Sequence, residues 1–552
     1  MIGVATSESD HEIVREFFEL FKTPWEFCRA GRSYDVLLSP SAGTTSASAK
    51  LVVIYGCALC DFDREHRIDK GSDQAGRILV CHRERIPIYG SARSFNDDAE
   101  NPLLADDSSA ESLSVERNID GTTVVRLGYD LFGEIRHLLT CGQPESFAHV
   151  PALERHISLL RRLIVDRGLL LVEIPPVPAA HPFIVALTHD VDHPRVRYHR
   201  FDHTMFGFVY RAVVGSFVDF IRGRRSLRQV RLNWQAAFFL PLVFAGVAKD
   251  FWDQYETYVD LEERVGSTFF VIPFKGEPGV NPEGLTRPDR ASPYAAIELA
   301  GDLRRLAAAD CEIGVHGIDA WRDSQRGEAE RKCIQEITSA AELGVRMHWL
   351  YFNSGSPRKL EEAGFSYDST VGYNATIGYR AGTTQVFKPV GVEQLLELPL
   401  HVMDTALFYP SYLNLSDADA RSVMRPMIEN AHSGGGVLTV NWHDRSLAPE
   451  RLWGDAYKTL LDDLRAHKPW FATASKAVSW FRQRRTAAFG AIVNDSGAMR
   501  IEVSSARTVP EVPPLRLRIY NRRALNSTEA ALGSGAFEEF SIEDSDQVLI
   551  AA

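Results

Sequence analysis

Two short stretches of the chain gather the residues best suited to chemistry. Residues 189–193 read His-Asp-Val-Asp-His directly after the apolar run FIVALT, and Asn441, His443 and Asp444 follow a second run, GVLTV. Carboxylates two positions apart at the end of a buried strand repel one another unless an arginine or a cation compensates. Similar residues accompany other apolar segments: His316 and Asp319 after EIGV, Arg346 and His348 around HWLYF, Asp368 and Ser369 after GFSY. Ligands of parallel α/β folds bind beyond the carboxyl ends of the strands, so these clusters predict one shared carboxylate–imidazole pocket. Such a pocket suits a divalent cation held by an aspartate and one or two histidines, with an open position. A second aspartate would act as base toward water and a separate histidine as acid toward the leaving group. Arg346 would hold the base carboxylate ionised.

These residues need a scaffold, and the pattern from 183 onward supplies one. Apolar runs at 183–188, 268–272, 312–316, 348–352, 395–400 and 436–440 alternate with helix-like pieces such as SPYAAIELAGDLRRLAAA. That alternation predicts parallel strands in a layered or barrel α/β domain, and continuous apolar strands fit burial on both faces. The proline-rich stretch EIPPVPAAHP marks a boundary before it. The predicted organisation is an N-terminal α/β accessory domain over 1–180, a catalytic domain over 181–485 with a helical insertion at about 200–250, and a small β-rich tail over 486–552.

Composition narrows the partners. The chain has 552 residues and a formal net charge of −12, which argues against nucleic acid, whose phosphates call for an excess of lysine and arginine. The N-terminus carries early acidic residues and no apolar core of a leader, so a cytoplasmic location is expected. The longest apolar run, AAFFLPLVFAGVA, is 13 residues with a proline and reads as a buried or interfacial helix; a bilayer span needs roughly 20 residues. The basic RGRRSLRQVR just before it leaves peripheral membrane contact open. Arg195, Arg197 and Arg200 read as a solvated face. Seven cysteines suggest free thiols in a reducing compartment; Cys57, Cys60 and Cys81-His82 have the spacing of half a zinc site but read as structural thiols.

The ordered motifs resemble the polysaccharide deacetylases of carbohydrate esterase family 4, over roughly 183–485. The family's Thr-Phe-Asp-Asp motif is matched by THDVD, making Asp190 the base and Asp192 the metal ligand, although the pair could serve the other way round. His316 matches the first of two histidines four apart, but Ala320 stands where the second belongs. The family's Arg-x-Pro-Tyr motif is matched by Arg346-Met-His348-Trp, so His348 could supply the missing ligand, with Asp319 a weaker substitute. Asp368, in AGFSYDST, is implied as an orienting partner of the arginine, and His443 as the acid. The variant motifs, with YDLFGEIRHLLT near the N-terminus, look most like a deacetylase-like subgroup associated with bacterial surface-polysaccharide production.

The resemblance implies a distorted (β/α) barrel, a divalent metal (Zn²⁺ first) on Asp192, His316 and His348, and removal of N- or O-linked acetyl groups from a sugar or polysaccharide. Trp321, Tyr373, Tyr379 and Arg380 lie near these motifs and could stack on or hydrogen-bond sugar rings, with core packing the stronger default. Ala320 leaves a second reading open: a deacetylase-like protein without turnover that binds glycan or a biosynthetic partner.

Overall fold

The structure, a computed structural model, describes residues 1–40, 47–82, 84–96, 102–223, 225–495, 498–505, 511–520, 537–542 and 547–551. Part of the Ser/Thr/Ala-rich stretch at 39–50, Arg224 of the basic stretch and Asn521 fall outside the described residues. The chain divides into two compact units. One comprises Met1–Ala180, Tyr379–Gln385 and Trp480–Ala552; the other comprises His181–Gly378 and Val386–Ser479.

The first unit carries a six-stranded sheet in which Ile2–Val4, Trp25–Phe27, Ser33–Ser39, Ser48–Tyr55 and Thr122–Leu127 run parallel and Ser114–Ile119 closes one edge antiparallel. The amphipathic helix Ala152–Val165 buries Leu153, Ile157, Leu160 and Ile164. The sequence treats the tail from 486 as a separate piece. In the structure its strand Leu515–Tyr520 pairs antiparallel with Leu171–Glu173, so these residues share a unit with 1–180. All seven cysteines are free, and Cys60 caps the short helix Asp61–Glu65.

The second unit is built on β1 (Ile184–Val191), β2 (Thr268–Val271), β3 (Glu312–Gly317), β4 (Gly344–Met347), β5 (Tyr367–Asp368), β6 (Leu396–Glu397), β7 (Val402–Met403), β8 (Val437–Asn441) and β9 (Trp470–Ala472). Their order is β6-β5-β4-β3-β2-β1-β8-β7, every pairing is parallel, and the sheet curls into a half-barrel. Strand β9 pairs with the first half of β1, on which β2 occupies the second half. The run HWLYF is not a strand: β4 ends at Met347, and His348–Leu350 form a short turn. Strands β1, β2, β4 and β8 are buried along their whole length, as their unbroken apolar character requires in a parallel sheet covered on both faces. Register sets the site. Thr188 lies opposite Asn441, and His316 opposite Arg346, so the polar ends of β1, β8, β3 and β4 finish at one level.

Between β1 and β2 the chain makes a helical insertion, His203–Ile221 and Leu227–Phe244. Its inner side, with Phe208, Ala212, Leu240 and Val243, packs on Trp252 and Ala448. Its outer side is apolar as well: Phe206, Tyr210, Phe217 and Ile221 are exposed, and Phe238 is 78% exposed. The 13-residue apolar run is therefore only half a core element. Among the described residues, His203–Ile221 is the one helix long and apolar enough to cross a membrane, with mean hydropathy 1.4.

Candidate metal centre and active site

Asp192, His316 and His348 offer one carboxylate oxygen and two imidazole nitrogens that all lie within 4.8 Å of one another. Asp192 Oδ1 is 3.4 Å from His316 Nε2 and 3.5 Å from His348 Nε2. Two bonds of about 2.0–2.1 Å to one tetrahedral ion put donor atoms roughly 3.3–3.4 Å apart, so the set has the spacing of a shared zinc. The proton inventory points the same way. His316 Nδ1 sits 2.9 Å from the Arg346 carbonyl, which assigns its proton to Nδ1 and leaves the Nε2 lone pair facing Asp192. Burial pushes His348 well below the ordinary histidine range despite Asp192, so it is a neutral imidazole. Burial alone would raise Asp192, but the imidazoles around it, with charged His443 among them, hold it well below the carboxylate range. Asp192 Oδ1 and His348 Nδ1 are buried with no hydrogen-bond partner among the described residues. Asp192 Oδ1 and the lone pair on His316 Nε2 are two acceptors facing each other without a donor, which is costly, and a cation resolves the conflict.

The chain brings its second histidine from an unexpected place. Ala320 is fully buried, and a methyl group on Gly327 of the helix Ser324–Thr338 would come within 3.1 Å of its Cβ, so this position serves helix packing. Asp319 is also engaged elsewhere: it pairs with Arg322 at 2.9 Å and accepts the Val280 amide. His348 reaches the centre from the end of β4 through a bend in which Trp349 and Leu350 both have left-handed backbone, φ 63° and 53°. Buried Arg290 braces this bend by donating to the carbonyls of His348 and Ile318, both at 2.9 Å, under the ring of Tyr351.

Asp190 and His443 flank the trio. Asp190 accepts from Arg346 Nη1 at 3.0 Å and from Asn441 Nδ2 at 2.7 Å, and its Oδ2 is 3.9 Å from His316 Nε2. His443 Nε2 is 3.8 Å from Asp192 Oδ2, while its Nδ1 meets Asp404 Oδ1 at 2.6 Å. Burial works against the charge on His443, but Asp404, and then Asp192 and Asp190, push it up to about 10, so it is an imidazolium able to donate. Asp404 also accepts the His443 amide at 2.7 Å, fixing the ring and its loop together.

Asp368 does not orient Arg346. The arginine donates to the Ser369 carbonyl, Ser369 Oγ, Thr188 Oγ1 and Asp190, and its guanidinium lies 4.5 Å from the centre of the Phe270 ring. Asp368 bonds Thr370 and pairs with buried Glu397, and burial drives both carboxyls upward. The neighbour that Arg346 contacts is Ser369, one residue beyond the end of β5. Arg195 pairs with Asp302, Arg197 with Asp250, and Arg200 donates to the Phe244 carbonyl, so these arginines brace loops. Trp321, Tyr373 and Tyr379 are buried, and Tyr379 and Arg380 belong to the other compact unit. The aromatic residues that line the cleft, a volume of about 480 Å³, are Trp349, Tyr351, Tyr409, Tyr412 and Trp453. Sequence reasoning missed Asp404, Arg290 and these rings; it recorded Asn441 only as part of a cluster.

No protein-family profile and no curated protein matches the sequence. Among solved structures, one provisionally named a polysaccharide deacetylase from Mycobacterium smegmatis aligns with 56% of this chain and 95% of its own at 19% identity and a TM-score of 0.33. A second, from Bordetella bronchiseptica and provisionally named a polysaccharide deacetylase involved in O-antigen biosynthesis, aligns with 52% of this chain and 83% of its own at 14% identity and a TM-score of 0.22. At scores this low neither likeness decides a function, which has to come from the atoms of the site.

Proposed function

We propose that the second unit is a metal-dependent deacetylase acting on the N- or O-acetyl group of a carbohydrate in surface-polysaccharide metabolism. One observation carries this reading: a carboxylate–bis-imidazole trio with an arginine-held carboxylate on one flank and a carboxylate-held imidazolium on the other, each within 4 Å. Asp192, His316 and His348 would hold the cation, zinc in the first instance, which supplies Lewis acidity toward an acyl carbonyl and toward water. Asp190, fixed by Arg346 and Asn441, accepts the proton of the attacking water. The C–N or C–O bond then breaks, and His443 passes its proton to the departing amine or alkoxide while Asp404 keeps the ring oriented. The products are acetate and the free amine or hydroxyl.

Metal analysis of the purified chain should give near one divalent ion, lost in His316→Ala together with acetate release from acetylated chitooligosaccharides. Ion retained by the wild type, with no Asp190-dependent release from any acetylated glycan, would instead support the binding-only reading.

The insertion supports a peripheral position on the cytoplasmic face of a bilayer. Its exposed apolar residues are accompanied by exposed Arg222, Arg228 and Arg231, the combination that suits an anionic lipid surface. Co-sedimentation with anionic vesicles should be lost in the Phe217→Asp, Phe238→Asp double variant; equal pelleting of both proteins would refute this placement.

A further inference from the structure

The cleft holds a second set of charges that the deacetylation steps do not use. Arg445 and Arg451 follow His443 in the loop after β8 and line the cleft with Tyr409. Arg211 joins them from the insertion, at the point where the helix widens into a π-turn over Arg211–Gly215; such turns are frequent at functional sites. Arg211 does not line the cleft itself; it is coupled to the other two through its charge. Burial first, then Arg451 and Arg445, depress Arg211 to about 10, and burial with Arg451 lowers Arg445.

Burial works against the charge on Arg451, but Tyr409, Glu450 and Asp404 raise it on balance; Arg211 and Arg445 have no such surplus. Glu450 is 1% exposed, yet neither carboxylate oxygen has a hydrogen-bond partner among the described residues, and burial pushes it toward the neutral form. Tyr409 accepts one bond from Arg451 Nη2 at 2.9 Å; burial would raise its phenol, but the arginines pull it down to about 7. The arginines are held by rings instead of acceptors. The Arg451 guanidinium lies 4.7 Å from the ring centres of both Tyr409 and Trp453, and that of Arg445 lies 5.1 Å from Trp252. Stacking fixes a guanidinium while leaving its in-plane N–H groups free. Nε of Arg211, Nη1 of Arg445 and Nε of Arg451 are buried without acceptors. Packed cations with unmet donors beside a cleft form a site for an oxyanion.

We propose that Arg445 and Arg451, reinforced by the charge of Arg211, bind a phosphate group of the substrate, so that the acetylated sugar enters as a phosphate ester or diphosphate conjugate. This deepens the deacetylase reading and rests on it. Phosphate matches the cluster better than a sugar carboxylate does. A carboxylate brings one charge and two oxygens to three guanidinium groups; a phosphate brings more of both. The phosphate belongs either to a soluble nucleotide-linked sugar or to a lipid-linked one, and the chemistry at the arginines is shared.

The test begins with binding of inorganic phosphate to the full chain, followed by calorimetry, with glucuronate as the carboxylate control. Saturable phosphate binding should weaken by roughly tenfold to a hundredfold in Arg445→Gln and in Arg211→Gln. Arg445→Lys should recover part of it, with the wild-type circular dichroism retained in all three. Arginine dependence separates this site from phosphate bound through a cation at Asp192. Acetate release is then compared for N-acetylglucosamine, its 1-phosphate, its nucleoside diphosphate conjugate and its polyprenyl diphosphate conjugate. A kcat/KM at least about tenfold higher for a phosphorylated donor, collapsing in both glutamine variants, supports the proposal; the better of the last two donors identifies the source. Phosphate binding unchanged in the variants, tighter binding of glucuronate, or equal kcat/KM across the donors would overturn it with the deacetylase reading intact. No acetate from any donor, with arginine-dependent phosphate binding retained, would overturn the deacetylase reading instead.

Discussion

Arg126 in the first unit and Arg451 in the second are both buried guanidinium groups, and they are arranged in opposite ways. Every nitrogen of Arg126 is occupied: Nε bonds Asp63 at 3.0 Å, Nη1 the Gly56 carbonyl at 2.7 Å, and Nη2 the Ala58 carbonyl at 2.8 Å. Asp63 in turn accepts the Cys60 amide. Arg451 makes one side-chain bond, to Tyr409, and its neighbours Arg445 and Arg211 leave donors unmet. The carboxylates repeat the contrast, since Asp192 Oδ1 is buried without a donor. Burial is common to both guanidinium groups; the difference lies in how completely each is paired. Unmet donors occur elsewhere in the chain, but in the cleft they gather on neighbouring cations that line one cavity.

The comparison can be broken most forcefully at the flank of the trio. Asp190→Asn keeps the Arg346 and Asn441 neighbours but removes the base, and acetate release should fall by about 10²–10⁴-fold with little change in unfolding temperature. A loss of stability comparable to a core mutation would class Asp190 with Asp63. Next in size, Arg126→Met leaves a buried Asp63 unpaired and should cost about 3–5 kcal/mol in denaturant unfolding. Arg445→Met, which relieves repulsion, should stay within about 1 kcal/mol of wild type. Equal costs for the two methionine variants would dissolve the distinction.

A further effect, small near neutral pH and growing in acid, concerns titration. Burial holds His156 down to about 3, against the 6.5 expected in the unfolded chain. The unfolded state therefore takes the proton first: stability from this group is intact above about 6.5 and is lost as pH falls toward 3, by at most about 1.4 kcal/mol per pH unit. His156→Asn should flatten that slope in acid titrations of unfolding, whereas an unchanged slope would assign the acid sensitivity to other groups.

The strand ends are legible in the sequence because apolar runs and the ionisable residues after them are local signals. The same logic finds His316, Arg346, Asp190, Asp192 and His443. Asp404 is not legible. It lies 39 residues before His443, on a short helix after β7, and only the β7–β8 pairing brings them together. The arginine cluster is hidden for the same reason, since Arg211 comes from the insertion 234 positions before Arg445 (445 − 211). Asp368 was misplaced by one residue because alternation along a two-residue strand fixes no face. The tail after 486 looked independent because strand pairing with Leu171–Glu173 leaves no mark in either segment.

The bend at Trp349 and Leu350 gives the centre an unusual property. Side chains other than glycine resist left-handed backbone, at a cost on the order of 1–3 kcal/mol each, so His348 is delivered by a segment under tension. The bend is in place with Arg290 bracing it, so its cost falls on folding and the imidazole stands ready in advance. Trp349→Gly, which removes that strain, should therefore lower stability toward denaturant less than a glycine placed in ordinary backbone, even though a cleft-lining ring is lost.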